Sequence, residues 1–112
     1  MNKFNIPISF ELLGQTIDVV FDQTLYYKEG QNRLGLCDFD NNMVTIQPET
    51  EDISRPITQL EHTFLHEIVH MILVAMGRND LASDESFVDM FAGMYHQIHK
   101  TSSYYDDRKE KR

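Results

Sequence analysis

Two histidines and a glutamate stand close together at His66, Glu67 and His70, with the spacing His-Glu-x-x-His. On a helix, residues four apart point nearly the same way, one turn along. His66 and His70 can therefore offer ring nitrogens to a single ion. Glu67 lies about 100° round the helix from His66, beside that ion, where a carboxylate can hold a water and remove its proton. This is the arrangement expected of a zinc (Zn2+) hydrolase, with His66 and His70 as ligands and Glu67 as base. Given this chain's histidine and glutamate content, the pattern should arise in about one or two of every hundred shuffled sequences. A histidine pair at this spacing also occurs on helices that bind nothing. Here, however, it is flanked by Leu65, Ile68, Val69, Met71 and Ile72, and polar groups are costly to bury without partners. A metal supplies the partner.

A catalytic zinc takes three protein ligands and keeps a fourth position open. The third is expected from a second helix whose acidic candidates are Asp84, Glu85 and Asp89. Glu85 and Asp89 are one turn apart and can face the first helix together. Glu85 is the choice for the ligand, and Asp89 for the group that hydrogen-bonds a ligating histidine's other nitrogen. Asp84 is assigned to helix-dipole stabilisation, which is also the alternative for Glu85. His62 is one turn before His66. Three histidines on successive turns span about 12 Å, too far for one ion, so His62 is read as a surface residue or a neighbour of the ligands. His96 could replace Glu85 only if the helices cross near it, and His99 is expected to be exposed.

The elements that must position these residues change period half-way. Ile6, Ile8, Phe10 and Leu12 alternate with polar residues, then Gly14-Gln15 makes a turn and Ile17, Val19 and Phe21 alternate again. A short strand is expected around Leu25–Lys28, a turn at Gly30-Gln31-Asn32, and a hairpin of Leu34–Asp38 with Met43–Gln47 around Asp40-Asn41-Asn42. Pro48 and Pro56 bracket a loop. From Thr58 to Met76 the spacing becomes helical, with Leu60, Phe64, Ile68 and Ile72 in one stripe. Thr58 and Glu61 have capping-box spacing, and Gly77 fits a C-terminal cap. Ser83 can cap the second helix, whose expected apolar face is Phe87, Phe91, Met94 and Ile98, with Ala92 and Gly93 small enough for close contact. The fold class is α+β: a small N-terminal antiparallel sheet, then two packed helices carrying the metal site.

The 112 residues suffice for one domain, and 41% hydrophobic with 25% charged residues is ordinary for a globular protein. The net charge is -8, with ten basic and eighteen acidic residues. From Lys100 onward there are five basic and three acidic residues, leaving residues 1–99 with five basic against fifteen acidic. Such a body repels phosphate backbones, so no nucleic-acid partner is expected, and Arg108–Arg112 reads as a solvated end. Met1–Pro7 lacks a signal peptide's apolar run, and no membrane-spanning segment is expected. The single cysteine, Cys37, permits no internal disulfide and reads as a small core residue in a strand. A cytoplasmic location is expected.

His66–His70, followed by Glu85-Ser86-Phe87-Val88-Asp89-Met90-Phe91-Ala92, resembles a minimal gluzincin domain. It is similar to the ImmA/IrrE family of short zinc peptidases and to small stand-alone relatives from phages and mobile elements. The resemblance covers roughly Leu34 to Ile98 and implies His66, His70 and Glu85 as zinc ligands, Glu67 as general base and Asp89 as the acidic residue four positions beyond the third ligand. A single zincin-like domain is expected over residues 1–100, with a flexible charged tail at 101–112, and the resemblance further implies a strand along the cleft, here Met43–Gln47, that pairs with an extended peptide or protein substrate. Val69 stands where the family commonly has glycine. Gly93-Met94-Tyr95-His96 replaces the family's usual Leu-Leu-Met-Pro.

Two functions follow as expectations. One is a zinc metallopeptidase in which Glu67 takes a proton from water and delivers it to the leaving amine, with Tyr95, Tyr104 and Tyr105 as candidate oxyanion donors. The other is a zinc-stabilised protein-interaction module of a phage or mobile element, with little turnover.

Overall fold

The computed structural model describes residues 5–30 and 32–105. Gln31 of the expected turn and the Arg108–Arg112 end lie outside the described residues. The strands are β1 (Ser9–Leu12), β2 (Gln15–Phe21), β3 (Gly35–Asp38) and β4 (Met43–Ile46), followed by helices α1 (Ile57–Ala75), α2 (Asn79–Ala82) and α3 (Glu85–Thr101). The class is α+β, as the change of period indicates.

The sheet is mixed rather than antiparallel. Its order is β1-β2-β4-β3, with β2 and β4 parallel and the other two pairings antiparallel. The β1–β2 hairpin turns at Leu13-Gly14, one residue earlier than expected. Both residues have positive φ (51° and 78°), as a two-residue hairpin turn matching strand twist requires. The β3–β4 hairpin forms where expected, with Asn42 at φ 51° and Asp38 accepting from the Asn41 amide (3.2 Å) and its side chain (2.8 Å).

Leu25–Gly30 is a 3-10 helix, not a strand. The Asp22 carboxylate accepts from the Thr24 amide (2.9 Å), the Thr24 hydroxyl (2.8 Å) and Lys28 Nζ (2.6 Å), which turns the chain before a strand can begin. Gln47, fully buried at 0% exposure, staples this turn to the end of β4. Its Oε1 accepts from the Tyr26 amide and its Nε2 donates to the carbonyls of Gln23 and Pro48.

Helix α1 lies across the sheet, and α3 packs on α1 and α2 rather than on the sheet. The core joins Ile17, Val44 and Ile46 of the strands to Phe64, Leu65, Met71 and Leu73 of α1. Buried between sheet and α3, α1 is covered on two sides. Leu60 and Ile68 are therefore only half-buried and Ile72 is exposed. The helix begins at Ile57 with Pro56 at its N-cap and no side-chain cap, so Thr58 and Glu61 form no capping box. Gly77 ends it as expected, at φ 76°. The Gly77 amide bonds the Val74 carbonyl and the Arg78 amide bonds the Leu73 carbonyl, which is a Schellman motif. Asp84, not Ser83, caps α3, accepting from the Phe87 amide at 3.1 Å. Val88 and Ala92 (both 0% exposed) form the contact with α1, so the expected face of Phe91, Met94 and Ile98 points outward. Among the described residues no helix is long and apolar enough to cross a membrane.

Candidate metal centre

The Schellman turn, the short α2 and the Asp84 cap reverse the chain, so that the first turns of α3 face the middle of α1. This juxtaposes residues far apart in sequence. His66 Nε2 lies 3.1 Å from His70 Nε2 and 3.5 Å from Glu85 Oε1. His70 Nε2 lies 2.7 Å from the same oxygen. Donors about 2.0–2.1 Å from a tetrahedral zinc stand about 3.3 Å from one another, so these three atoms already form a triangle of the right size. The group could hold a metal ion, with two neutral nitrogens and one carboxylate oxygen, a donor set that suits zinc and other borderline divalent ions.

Asp89 supports this set from behind. Its Oδ1 lies 3.3 Å from His66 Nδ1. With Nδ1–H donating to Asp89, Nε2 keeps its lone pair for the triangle. His62 Nε2 lies 3.6 Å from the same Oδ1 and adds no atom to the three. His96 is drawn elsewhere, with its Nε2 2.8 Å from Glu61 Oε1.

Glu67 lies against β3. Its burial (9% exposed) is the largest influence on its carboxyl and pushes it above the ordinary carboxylate range. The Cys37 contact and the neighbouring histidines pull the other way. The Cys37 thiol lies 3.2 Å from Glu67 Oε1 and 2.9 Å from its carbonyl oxygen, so its single S–H is shared between them. Burial, then the Glu67 charge, pushes that thiol strongly up, so it stays protonated. Gly35 completes the seat. A Cβ there would meet Glu67 Oε2 at 2.7 Å and Thr63 Cγ2 at 2.7 Å. Only glycine leaves this carboxylate room.

A cavity of about 720 Å3 opens on the site, its walls including Arg33, Phe39, His66, Glu67, His70 and Glu85. Tyr95, Tyr104 and Tyr105 are exposed and lie outside that wall. The strand expected to receive substrate, Met43–Gln47, has no free edge, because β4 pairs with β2 on one side and β3 on the other. The edge beside the metal site belongs to β3. Sequence reasoning missed Gly35 and Cys37 as neighbours of Glu67. A glycine opening a short strand is the one signal that pointed there, since it marks close backbone approach.

Compared with family models, curated proteins and solved structures, the chain matches none.

Proposed function

We propose that the chain is a zinc-dependent metallopeptidase of gluzincin type. The observation that carries this reading is the triangle of His66, His70 and Glu85 donors with the buried Glu67 carboxylate in the wall of the same cavity. Zinc held there supplies Lewis acidity toward a carbonyl and toward water. Glu67 takes the proton of the attacking water on Oε2, the oxygen that Cys37 does not engage, and passes it to the leaving amine. Its raised affinity for protons suits both transfers, since a base works best when its pKa approaches the working pH. Asp89 holds His66 in one tautomer. Among the described residues Arg33 is the one lysine or arginine in the cavity wall, and it is the donor proposed for the oxyanion. The free edge of β3 offers main-chain hydrogen bonds to an extended peptide.

The test compares the native chain with Glu67→Gln on a broad peptide library, with metal content measured in parallel. Zinc should remain in both, and hydrolysis should fall by about 10²–10⁴-fold in the variant. Equal cleavage by both chains would rule out Glu67 as the base.

The exposed face of α3 favours the second reading, a zinc-stabilised interaction module. Met90, Phe91, Met94, Tyr95 and Ile98 are each about half-exposed or more, on the side of the helix away from the metal. Stoichiometric zinc with no cleavage of any library member would select it.

A further inference from the structure

The turn before α1 holds a buried cation, Arg55, whose guanidinium pairs with no carboxylate among the described residues. Arg55 is 3% exposed. Its Nη1 donates to the Gln47 carbonyl at 2.9 Å, and its Nη2 to the Gln59 carbonyl at 3.4 Å and to the Thr63 hydroxyl. None of these acceptors is charged. The nearby Glu49 carboxylate accepts from the Arg55 backbone amide instead, at 3.0 Å. Among the described residues, Nε of Arg55 is the only buried side-chain nitrogen or oxygen with no hydrogen-bond partner.

The start of α1 has the same deficit. No side chain caps it, and its first turn contains no acid. A 19-residue helix presents partial positive charge and free amides at that end. Both features meet at a cavity of about 420 Å3, separate from the metal cavity, lined by Arg55, Thr58, Gln59, His62, Thr63 and His96 together with Leu34. Among the described residues no aspartate or glutamate is in that lining, although the chain has eighteen acidic residues against ten basic.

The geometry points to this cavity as a binding site for a small oxyanion, a carboxylate or an inorganic phosphate, held by Arg55, the opening turn of α1 and the Thr58 and Thr63 hydroxyls. An anion supplies what both features lack: charge for the guanidinium and acceptors for donors. Two sources share this chemistry. One is free phosphate. The other is the terminal carboxylate of a peptide, a source that rests on the peptidase reading. Leu34, immediately before β3, lines the cavity, and Thr63 touches both Arg55 and the space over Gly35. A strand added antiparallel to β3 would carry its carboxyl end this way.

The test uses the full chain as isolated, with its metal content measured and left unchanged, and reads a cavity separate from the metal cavity. The Arg55 Nε–H resonance is followed while inorganic phosphate, a short peptide acid and the matching peptide amide are added at constant ionic strength. Saturable movement with phosphate or the peptide acid is expected, at least tenfold weaker in Thr63→Val. Arg55→Gln lacks that resonance, so the Thr58 backbone amide is followed in its place, and it should show no saturable movement. A peptide acid binding at least tenfold tighter than its amide assigns the site to a chain terminus. Phosphate binding with no such preference assigns it to a free anion. No saturable movement with any of the three overturns the site and leaves Arg55 as a clamp between β4 and α1, whatever the zinc measurements show.

Discussion

Two histidine–glutamate clusters lie along the α1–α3 seam. At one, Glu61 meets His96 and Lys100, with His96 Nε2 at 2.8 Å and Lys100 Nζ at 3.2 Å from Oε1. The Glu61 side chain is 2% exposed, yet bonds from His96 and Lys100 outweigh the effect of burial and hold its carboxyl below the ordinary range. At the other, Glu85 meets His66 and His70. Its side chain is 70% exposed, no lysine or arginine among the described residues bonds it, and two imidazole nitrogens converge on its oxygen. The residue types are almost the same. The first cluster contains its own cation and is closed. The second gathers acceptors around one point and opens on a cavity. What separates a structural ion pair from a candidate metal site here is the missing cation, not the composition.

That contrast can be broken from either side. The largest effect is expected from His70→Ala. Structural zinc binding of about 10–16 kcal/mol is shared among a few ligands, so zinc affinity should fall about a thousandfold or more in competition titrations, while the Glu61 cluster stays intact. Next is Glu61→Gln, which should leave zinc affinity unchanged and lower the unfolding free energy by about 3 kcal/mol, the lower end of the cost of breaking a buried pair. The pH dependence has a definite sign. Glu61's folded pKa lies below its ordinary value of 4.5, so its contribution is full above about pH 4.5 and is lost as pH falls through the lower folded value. The difference in Tm between native chain and Glu61→Gln should therefore shrink on acidification; a difference that grows would contradict the pairing.

Smaller effects sharpen the comparison. Asp89→Ala removes the bond to His66 Nδ1 and should weaken zinc about 10–100-fold. No change would mean that His66 is oriented without it. Asp84→Ala removes the cap of the helix that supplies both clusters, and should cost about 1 kcal/mol in denaturant unfolding.

The same contrast shows what was legible in the sequence. His66, Glu67 and His70 lie within one turn of one helix, so local geometry suffices to place them. Glu85 and Asp89 needed only the assumption that the second helix folds back. Glu61 was misread as half of a capping box, because its partners His96 and Lys100 are more than thirty residues away and local pattern cannot show them. The parallel insertion of β4 beside β2 is non-local in the same way, so the resemblance that implied Met43–Gln47 as the cleft strand could not show that β3 holds the edge. Helix α3 misled for a different reason. Its large apolar residues suggested a buried face, but close approach to α1 selects Val88 together with Ala92, the small residue expected at that contact.

Zinc-edge X-ray absorption on the zinc-reconstituted chain tests the centre most directly. One zinc per chain, with two imidazole nitrogens and carboxylate oxygen at about 2.0–2.1 Å, is the expected result, and it should be lost in His66→Ala. Sulfur at about 2.3 Å, which would bring in Cys37, or no stoichiometric zinc at all, would contradict the site formed by His66, His70 and Glu85.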